Sequence, residues 1–260
     1  MNPICKQIRR DILAIAHASG HGHIPTCFSV VEIVYAVYAT MKHDPRDPRW
    51  DERDIFVLSK GHASLAHYCV LSHFGYFPLD DVRTFGGFES RFGCHADRLK
   101  VPGIEASTGS LGHGIGLSVG MALGIKLKKQ DRRVFTVIGD GESNEGSVWE
   151  AVMVGVNLKL DNLVIIYDNN YSHARGLQIQ EPAKRFSSFG CDARECNGHS
   201  INELKQQLRQ RSDRPVVIVA NTKKGCGCST LIKNHYAWHR RSPTPDELSK
   251  LCGELDEETI

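Results

Sequence analysis

The sequence predicts an α/β domain with a mainly parallel sheet and helices on both of its faces. Three observations carry that expectation. Residues 134–170 read as an apolar run, an acidic glycine turn, a helix and a second apolar run, the pattern of one βαβ crossover. The run Val216 to Ala220 is apolar throughout, as a strand buried on both faces requires. Ile4, Ile8, Ile12 and Ile15 recur at helical spacing and mark an amphipathic first helix ending near Gly20.

A second helix is expected from Ser29, as its N-cap, through Met41, followed by the polar, proline-bearing connection KHDPRDPRWDERD. Ile55 to Leu58 reads as a short strand, with SKGHAS and a helix from Ala63 to Phe74 after it. Residues 75–107 are rich in Gly, Pro and His and read as loop. Gly109 to Lys129 contains a long helix carrying Gly112, Gly114, Gly116, Gly120 and Gly124. Glycine is costly inside a helix, so something must approach that backbone closely. Gly116, Gly120 and Gly124 repeat every four residues, which predicts tight helix packing along one face. Beyond Asn170 the pattern loosens until a polar, amphipathic helix from Ile201 to Arg211 and the strand at Val216. Residues 1–245 are expected to form one domain, and residues 246–260 a C-terminal helix and acidic tail that frays around Glu254, Asp256, Glu257 and Glu258.

A chain of 260 residues can bury a substantial core. Its net charge of +2 gives no bulk field that would point to nucleic acid or membrane. No apolar run reaches membrane-spanning length, and Lys6, Arg9, Arg10 and Asp11 interrupt the N-terminus where a signal peptide would be apolar. A cytoplasmic protein is expected. The 9 cysteines lack paired CxxC blocks of zinc spacing, which leaves reduced thiols as the simplest reading.

Chemistry gathers at the ends of the two crossover strands. The first ends in Gly139-Asp140-Gly141 and the second in Asp168-Asn169-Asn170. Ligands of an open parallel sheet bind beyond the carboxyl ends of its strands, so Asp140 and the asparagines should share one crevice. A carboxylate and an amide oxygen form a hard donor set suited to Mg²⁺. The flanking glycines let a diphosphate approach the backbone, and the following helix offers free N–H groups. The glycines of STGSLGHG do not match a nicotinamide fingerprint, because no good strand precedes them. Several of the 13 histidines sit in glycine-rich loops, among them His21, His62, His95, His113 and His239.

Together these blocks resemble the N-terminal half of transketolase, and more closely the N-terminal subunit of the split transketolases. The resemblance spans nearly the whole chain: the SGH block, RDIFVLSKGHAS, GCHAD, STGSLGHG, VIGDGESNEGSVWEA, KLDNLVIIYDNN, ANTKKGCG and NHYAWH. It implies a thiamine diphosphate (ThDP) binding domain, with Mg²⁺ or another divalent cation such as Ca²⁺ or Mn²⁺. Asp140, Asn170 and the backbone carbonyl of Ser172 would be the metal ligands. His62, Gly109, Ser110, Leu111, Gly139, Asp140, Gly141, Glu142, Asn170 and His239 would contact the cofactor. His21, His62, His95 and His239 would act on the sugar, and Glu145 would meet an acidic residue across a subunit interface. Imidazoles titrate near the working pH, which suits chemistry that moves protons onto and off sugar oxygens.

The implied activity is transfer of a two-carbon ketol unit from a ketose to an aldose, on small sugars or sugar phosphates. The family's catalytic glutamate lies on a pyrimidine-binding domain, and no strand-helix repeat follows residue 240. A partner subunit carrying that domain is therefore expected, as a heterodimer or heterotetramer. Alternatives are an α-type subunit of a 2-oxo acid dehydrogenase, against which SKGHAS and GCHAD discriminate, and a non-catalytic homologue. The sequence departs from the family at His23, an extra imidazole in GHGHIP, and at Arg240, where glycine is usual. The run after Asn170 also departs, placing its GLQ several residues late.

Overall fold

The computed structural model describes residues 1–257. Five strands, β1 (Ile55–Leu58), β2 (Val134–Gly139), β3 (Leu163–Asn169), β4 (Asp192–Asn197) and β5 (Val216–Asn221), form one sheet in the order β1-β2-β3-β5-β4. All pairings are parallel. Gly139 lies opposite Asp168, so β2 and β3 end level, and Asn169 lies opposite Asn221 at the end of β5. Side-chain alternation divides the strands between two cores. Phe135, Val137, Val164, Ile166 and Ile218 pack with the core that holds α1 (Pro3–Ser19), α2 (Ile24–Tyr38) and α3 (Ser64–His73). Val134, Ile138, Ile165, Val217 and Val219 face α5 (His113–Leu127), α6 (Gly146–Asn157) and α7 (Pro182–Ser188). The α/β expectation, with helices on both faces, is met.

The first helix begins at an Asn2 cap, whose side chain accepts from the N–H groups of Ile4 and Cys5, and ends at Gly20 in the left-handed region. The second helix is buried along its length apart from Tyr35, as a helix apolar on all sides must be. It starts at Ile24, five residues before the expected N-cap. Pro25 in its first turn is preorganised for a helix start. Ser29 is therefore interior, and its hydroxyl bonds the Thr26 carbonyl and the Asp168 carboxylate.

Three further expectations need correction. The region after Asn170 holds α7 and the edge strand β4, whose sequence DARECN is too polar to be recognised as a strand; α8 (Ile201–Arg209) then leads to β5. The C-terminal helix is α10 (Pro245–Glu257), and it continues through Glu254 and Asp256 where fraying was expected, with Leu251 and Leu255 buried and Glu254 accepting from the N–H and hydroxyl of Thr230; Glu258 lies outside the described residues. Gly116, Gly120 and Gly124 touch nothing: a Cβ built on any of them meets no atom within 4 Å. Gly114 is the glycine that packs, since its Cβ would come within 2.6 Å of the Ser59 Cα. The loop-rich stretch carries one turn, α4 (Leu79–Val82), and α9 (Ser229–Lys233) precedes α10. The helix read from Ala63 to Phe74 is a 3₁₀ turn, Gly61–Ala63, followed by α3. Cys5, Cys27, Cys69, Cys94, Cys191, Cys196, Cys226 and Cys252 are free thiols, and the Cys228 thiol donates to the Leu251 carbonyl.

A buried ion pair ties α1 to α2. Arg9, fully buried, donates to Glu32 Oε2 at 2.7 Å, to the Phe28 carbonyl at 2.7 Å and to the Cys226 carbonyl at 3.0 Å. His199 Nδ1 lies 3.0 Å from the same Glu32 oxygen. Burial alone would raise the Glu32 pKa, but Arg9 and His199 hold it down at about 2. A carboxyl depressed in the folded state contributes stability above its unfolded pKa, and that stability is lost as the pH falls through the folded value. Glu32→Gln should cost about 3–5 kcal/mol near neutral pH, because Arg9 keeps a buried, uncompensated charge. Urea unfolding as a function of pH should show that difference shrinking below about pH 4.5 and closing towards pH 2.

Candidate active site

Two glycine contacts bring the strand-end loops together. After β1 the chain runs Ser59-Lys60-Gly61-His62, and a Cβ on Gly61 would sit 2.7 Å from the Thr108 carbonyl group. The Thr108 hydroxyl donates to the Leu58 carbonyl at 2.8 Å, locking STGS against SKGHAS. After β2, a Cβ on Gly141 would meet the His173 ring at 2.7 Å, so the GDG turn lies directly beneath the loop that follows β3. Between these loops lies a cavity of about 510 Å³.

Asp168, at the end of β3, organises the cavity from below. It is fully buried, and its Oδ2 accepts from Lys60 Nζ at 2.5 Å, Ser29 Oγ at 2.8 Å and Asn170 Nδ2 at 2.8 Å. Its Oδ1 accepts from the Thr222 hydroxyl. Burial opposes its ionisation, yet Lys60 and these hydrogen bonds keep its pKa below the usual carboxylate range. The Asn170 amide is thereby oriented: Nδ2 is held by Asp168 and Ser29, and Oδ1 accepts the Ser172 N–H at 3.0 Å. Asp140 is also buried and accepts only two backbone N–H groups, from Gly141 at 2.8 Å and His173 at 3.3 Å. Burial raises its pKa; Lys60 opposes that rise and Asp168 adds to it. A carboxylate and a fixed amide oxygen with lone pairs to spare are the donors a hard divalent cation takes, so the residues fit such an ion. Among the described residues no cluster of three or more His, Cys, Asp or Glu side chains is arranged for a metal, so amide and carbonyl oxygens would have to complete the shell.

Lys224 completes this polar end. Its ammonium bonds the Ser172 hydroxyl and lies 3.4 Å from His239 Nδ1. Burial first and Lys60 second bring its pKa down to about 8. The other wall is imidazole. His62 and His239 have ring centroids 6.0 Å apart. Burial pushes His62 well below its ordinary value, and burial with Lys224 and Lys60 pushes His239 down to about 4. Both rings are neutral at pH 7, each with one donor and one acceptor nitrogen.

Of the residues singled out from the sequence, His62, Leu111, Gly139, Asp140, Gly141, Glu142, Asn170, Ser172 and His239 line this cavity. Glu142 does so with its carboxylate already engaged by Ser59, Gly112 and Gly139, so it braces the loops and leaves little for a ligand. Gly109 and Ser110 line a neighbouring groove between α5 and α6 instead. The His95 ring lies against Gly109, with its pKa lowered by burial and by Arg240. His21 packs on Phe85, 3.6 Å from the Cys94 thiol. Glu145 is exposed at the start of α6. Sequence reasoning missed Lys60, Asp168, Lys224 and Arg175. The two lysines stand inside SKGHAS and ANTKKGCG, where a cation at a strand end was a usable signal.

Residues 2–251 match the family described as transketolase, thiamine diphosphate binding domain. The chain belongs to the transketolase family. It is 37% identical over 262 residues to one of the subunits of the apulose-4-phosphate transketolase of Actinobacillus succinogenes, covering 97% of this chain and 95% of that one. It is 35% identical to a 6-deoxy-6-sulfo-D-fructose transketolase subunit of a Clostridium species, covering 96% and 94%. Rat transketolase is 37% identical over 94% of this chain but only 40% of its own length. Among solved structures, Campylobacter jejuni transketolase superposes with a TM-score of 0.87 at 27% identity, over 98% of this chain and 43% of that one. The chain thus spans about two fifths of these longer transketolases, and nearly all of the proteins named as subunits. No helix among the described residues is long and apolar enough to cross a membrane.

The transketolase cavity should depend on Asp168 more than on any residue that faces the ligand. Asp168→Asn leaves the Lys60 ammonium buried without its counter-charge, and breaking such a pair costs about 3–5 kcal/mol. Chemical denaturation of the variant should show a loss of that size. A loss under about 0.5 kcal/mol would be that of an ordinary surface change.

Proposed function

We propose that the chain is the diphosphate-binding subunit of a two-subunit transketolase-type enzyme that moves a two-carbon ketol unit from a ketose to an aldose. One observation carries the reading: a single cavity lined by oxygen donors, by lysines and by neutral imidazoles beside them. Asp140, Asn170 and the Ser172 carbonyl would hold Mg²⁺, or Ca²⁺ or Mn²⁺ in its place, while Lys60, Lys224 and Arg175 would balance the charge of a diphosphate. ThDP, when bound, supplies the electron sink for breaking a bond beside a carbonyl. The chain's part is to orient the sugar and to pass protons to its oxygens. His62 and His239 can do both while uncharged, and His95 and His21 would extend that service beyond the cavity. Relatives named for apulose-4-phosphate and for a sulfonated fructose support a small sugar with an anionic group as substrate.

The partner would carry the pyrimidine-binding domain and the catalytic glutamate. Relatives named as subunits support it, and so does the surface of this chain. The groove between α5 and α6, lined by Gly116, Leu117, Val154 and neighbours, is open, and exposed Met153 and Leu158 lie on α6 and just beyond its end. Exposed Glu145 stands at the start of α6, where it would share a proton or hydrogen bond with the partner. A two-fold heterotetramer would bury both copies of this face.

Two outcomes are expected. The purified chain with saturating ThDP and Mg²⁺ should show no ketol transfer, and mixing with a pyrimidine-binding partner should restore it. Robust transfer with no co-purifying partner by mass spectrometry would contradict the assembly. In the assembled complex Asp140→Ala should abolish metal-dependent ThDP binding in calorimetry, because nothing else supplies that carboxylate. Unchanged affinity would remove Asp140 from the metal site.

A further inference from the structure

We propose that His23 is a further specificity-determining residue, which carries the imidazole wall past the cavity and hydrogen-bonds the hydroxylated chain of the sugar beyond its carbonyl carbon. The assignment rests on the ketol-transfer reading of the same site.

Geometry places the ring there. His23 meets His62 edge-on at 5.2 Å between centroids and His239 edge-on at 5.3 Å, closing a triangle with two residues that line the cavity. Its place is fixed by the backbone on either side. Gly22, with φ of 150°, is buried where a Cβ would press on Ala16 at 3.2 Å, and Ile24 is fully buried in the core. His23 precedes the first turn of α2 but does not cap it, and among the described residues neither ring nitrogen has a hydrogen-bond partner. A polar ring held rigidly beside a binding cavity with both nitrogens free is preorganised for a ligand. Burial first, then His239 and His95, lowers its pKa to about 4, so the ring is neutral. One nitrogen then donates and the other accepts, which matches a pair of neighbouring hydroxyls, each able to accept or donate. An anionic group, which only accepts, could pair with the donor nitrogen alone and would leave the acceptor nitrogen unused.

The competing explanation is that the three rings merely pack on one another. His23→Phe separates the two, since it keeps an aromatic ring and removes both nitrogens, while His23→Gln keeps a donor and an acceptor. The assembled complex should be assayed with two donors. D-fructose 6-phosphate continues past its carbonyl as a hydroxylated chain, whereas hydroxypyruvate continues as a carboxylate. For His23→Phe the ratio of kcat/KM for fructose 6-phosphate to that for hydroxypyruvate should fall about 10-fold, through KM of the sugar, as expected for one or two lost hydrogen bonds. His23→Gln should recover part of that loss, and ThDP affinity by calorimetry should stay at the wild-type value in both. An unchanged ratio, or equal losses on both donors, would leave His23 a packing residue and overturn the assignment. A wild-type complex that transfers from neither donor would overturn the ketol-transfer reading, and the assignment with it.

Discussion

The carboxylate of Asp168 is the constraint on which the rest of the site depends. A fully buried charge is costly unless paired and saturated with hydrogen bonds. Here four donors come from four different parts of the fold: Lys60 after β1, Ser29 in α2, Thr222 after β5 and Asn170 at the exit of β3. Each donor would be left unsatisfied by a shift of its own element, so the carboxylate fixes the relative positions of both sides of the cavity floor. The same bonds decide which way the Asn170 amide points. Asp140, one strand away, accepts from two backbone N–H groups and is far from such saturation.

That division explains which parts of the site are legible in the sequence. Strand-end motifs are readable because a parallel sheet delivers its strand termini to one edge, so GDG and the DNN run had to meet. Ser29 misleads for a physical reason. A serine ahead of an apolar helical run has the signature of an N-cap, but this one is held inside the helix, where its hydroxyl serves Asp168. Strand β4 escapes because it is an edge strand in which Cys196 alone is buried, and its polar residues carry no apolar alternation. Lys60 and Lys224 follow strand ends inside recognisable motifs, and that position was the one signal that a lysine there faces the cavity.

The cavity sets charged groups and neutral rings side by side. At the end where a diphosphate and a cation would lie, formal charges abound, and Lys60 is held by Asp168 while Lys224 is brought into a range where it can lose its proton. Beside them, burial and these lysines keep His62 and His239 uncharged. A ring of imidazolium ions there would repel one another and the lysines. Neutral rings do not, and they offer a sugar both a donor and an acceptor. The lysines therefore add to burial in holding the neighbouring imidazoles neutral.

The glycines of α5 extend the same reasoning to the outer surface. Each glycine inside a helix costs roughly 0.8–1.0 kcal/mol relative to alanine. At Gly114 the fold recovers that cost, because a side chain there would collide with the backbone of Ser59 and part the loops that shape the cavity. At Gly116, Gly120 and Gly124 it recovers nothing within this chain, since the space above them is open. The three lie about one helical turn apart, Gly116 in a groove edged by exposed Leu117 and Val154, and an isolated domain would gain stability by filling these positions with alanine. Their cost is offset only if another backbone comes as close to α5 as Ser59 comes to Gly114. Among the described residues the row at Gly116, Gly120 and Gly124 thus has no compensation of the kind that the Ser59 loop gives Gly114.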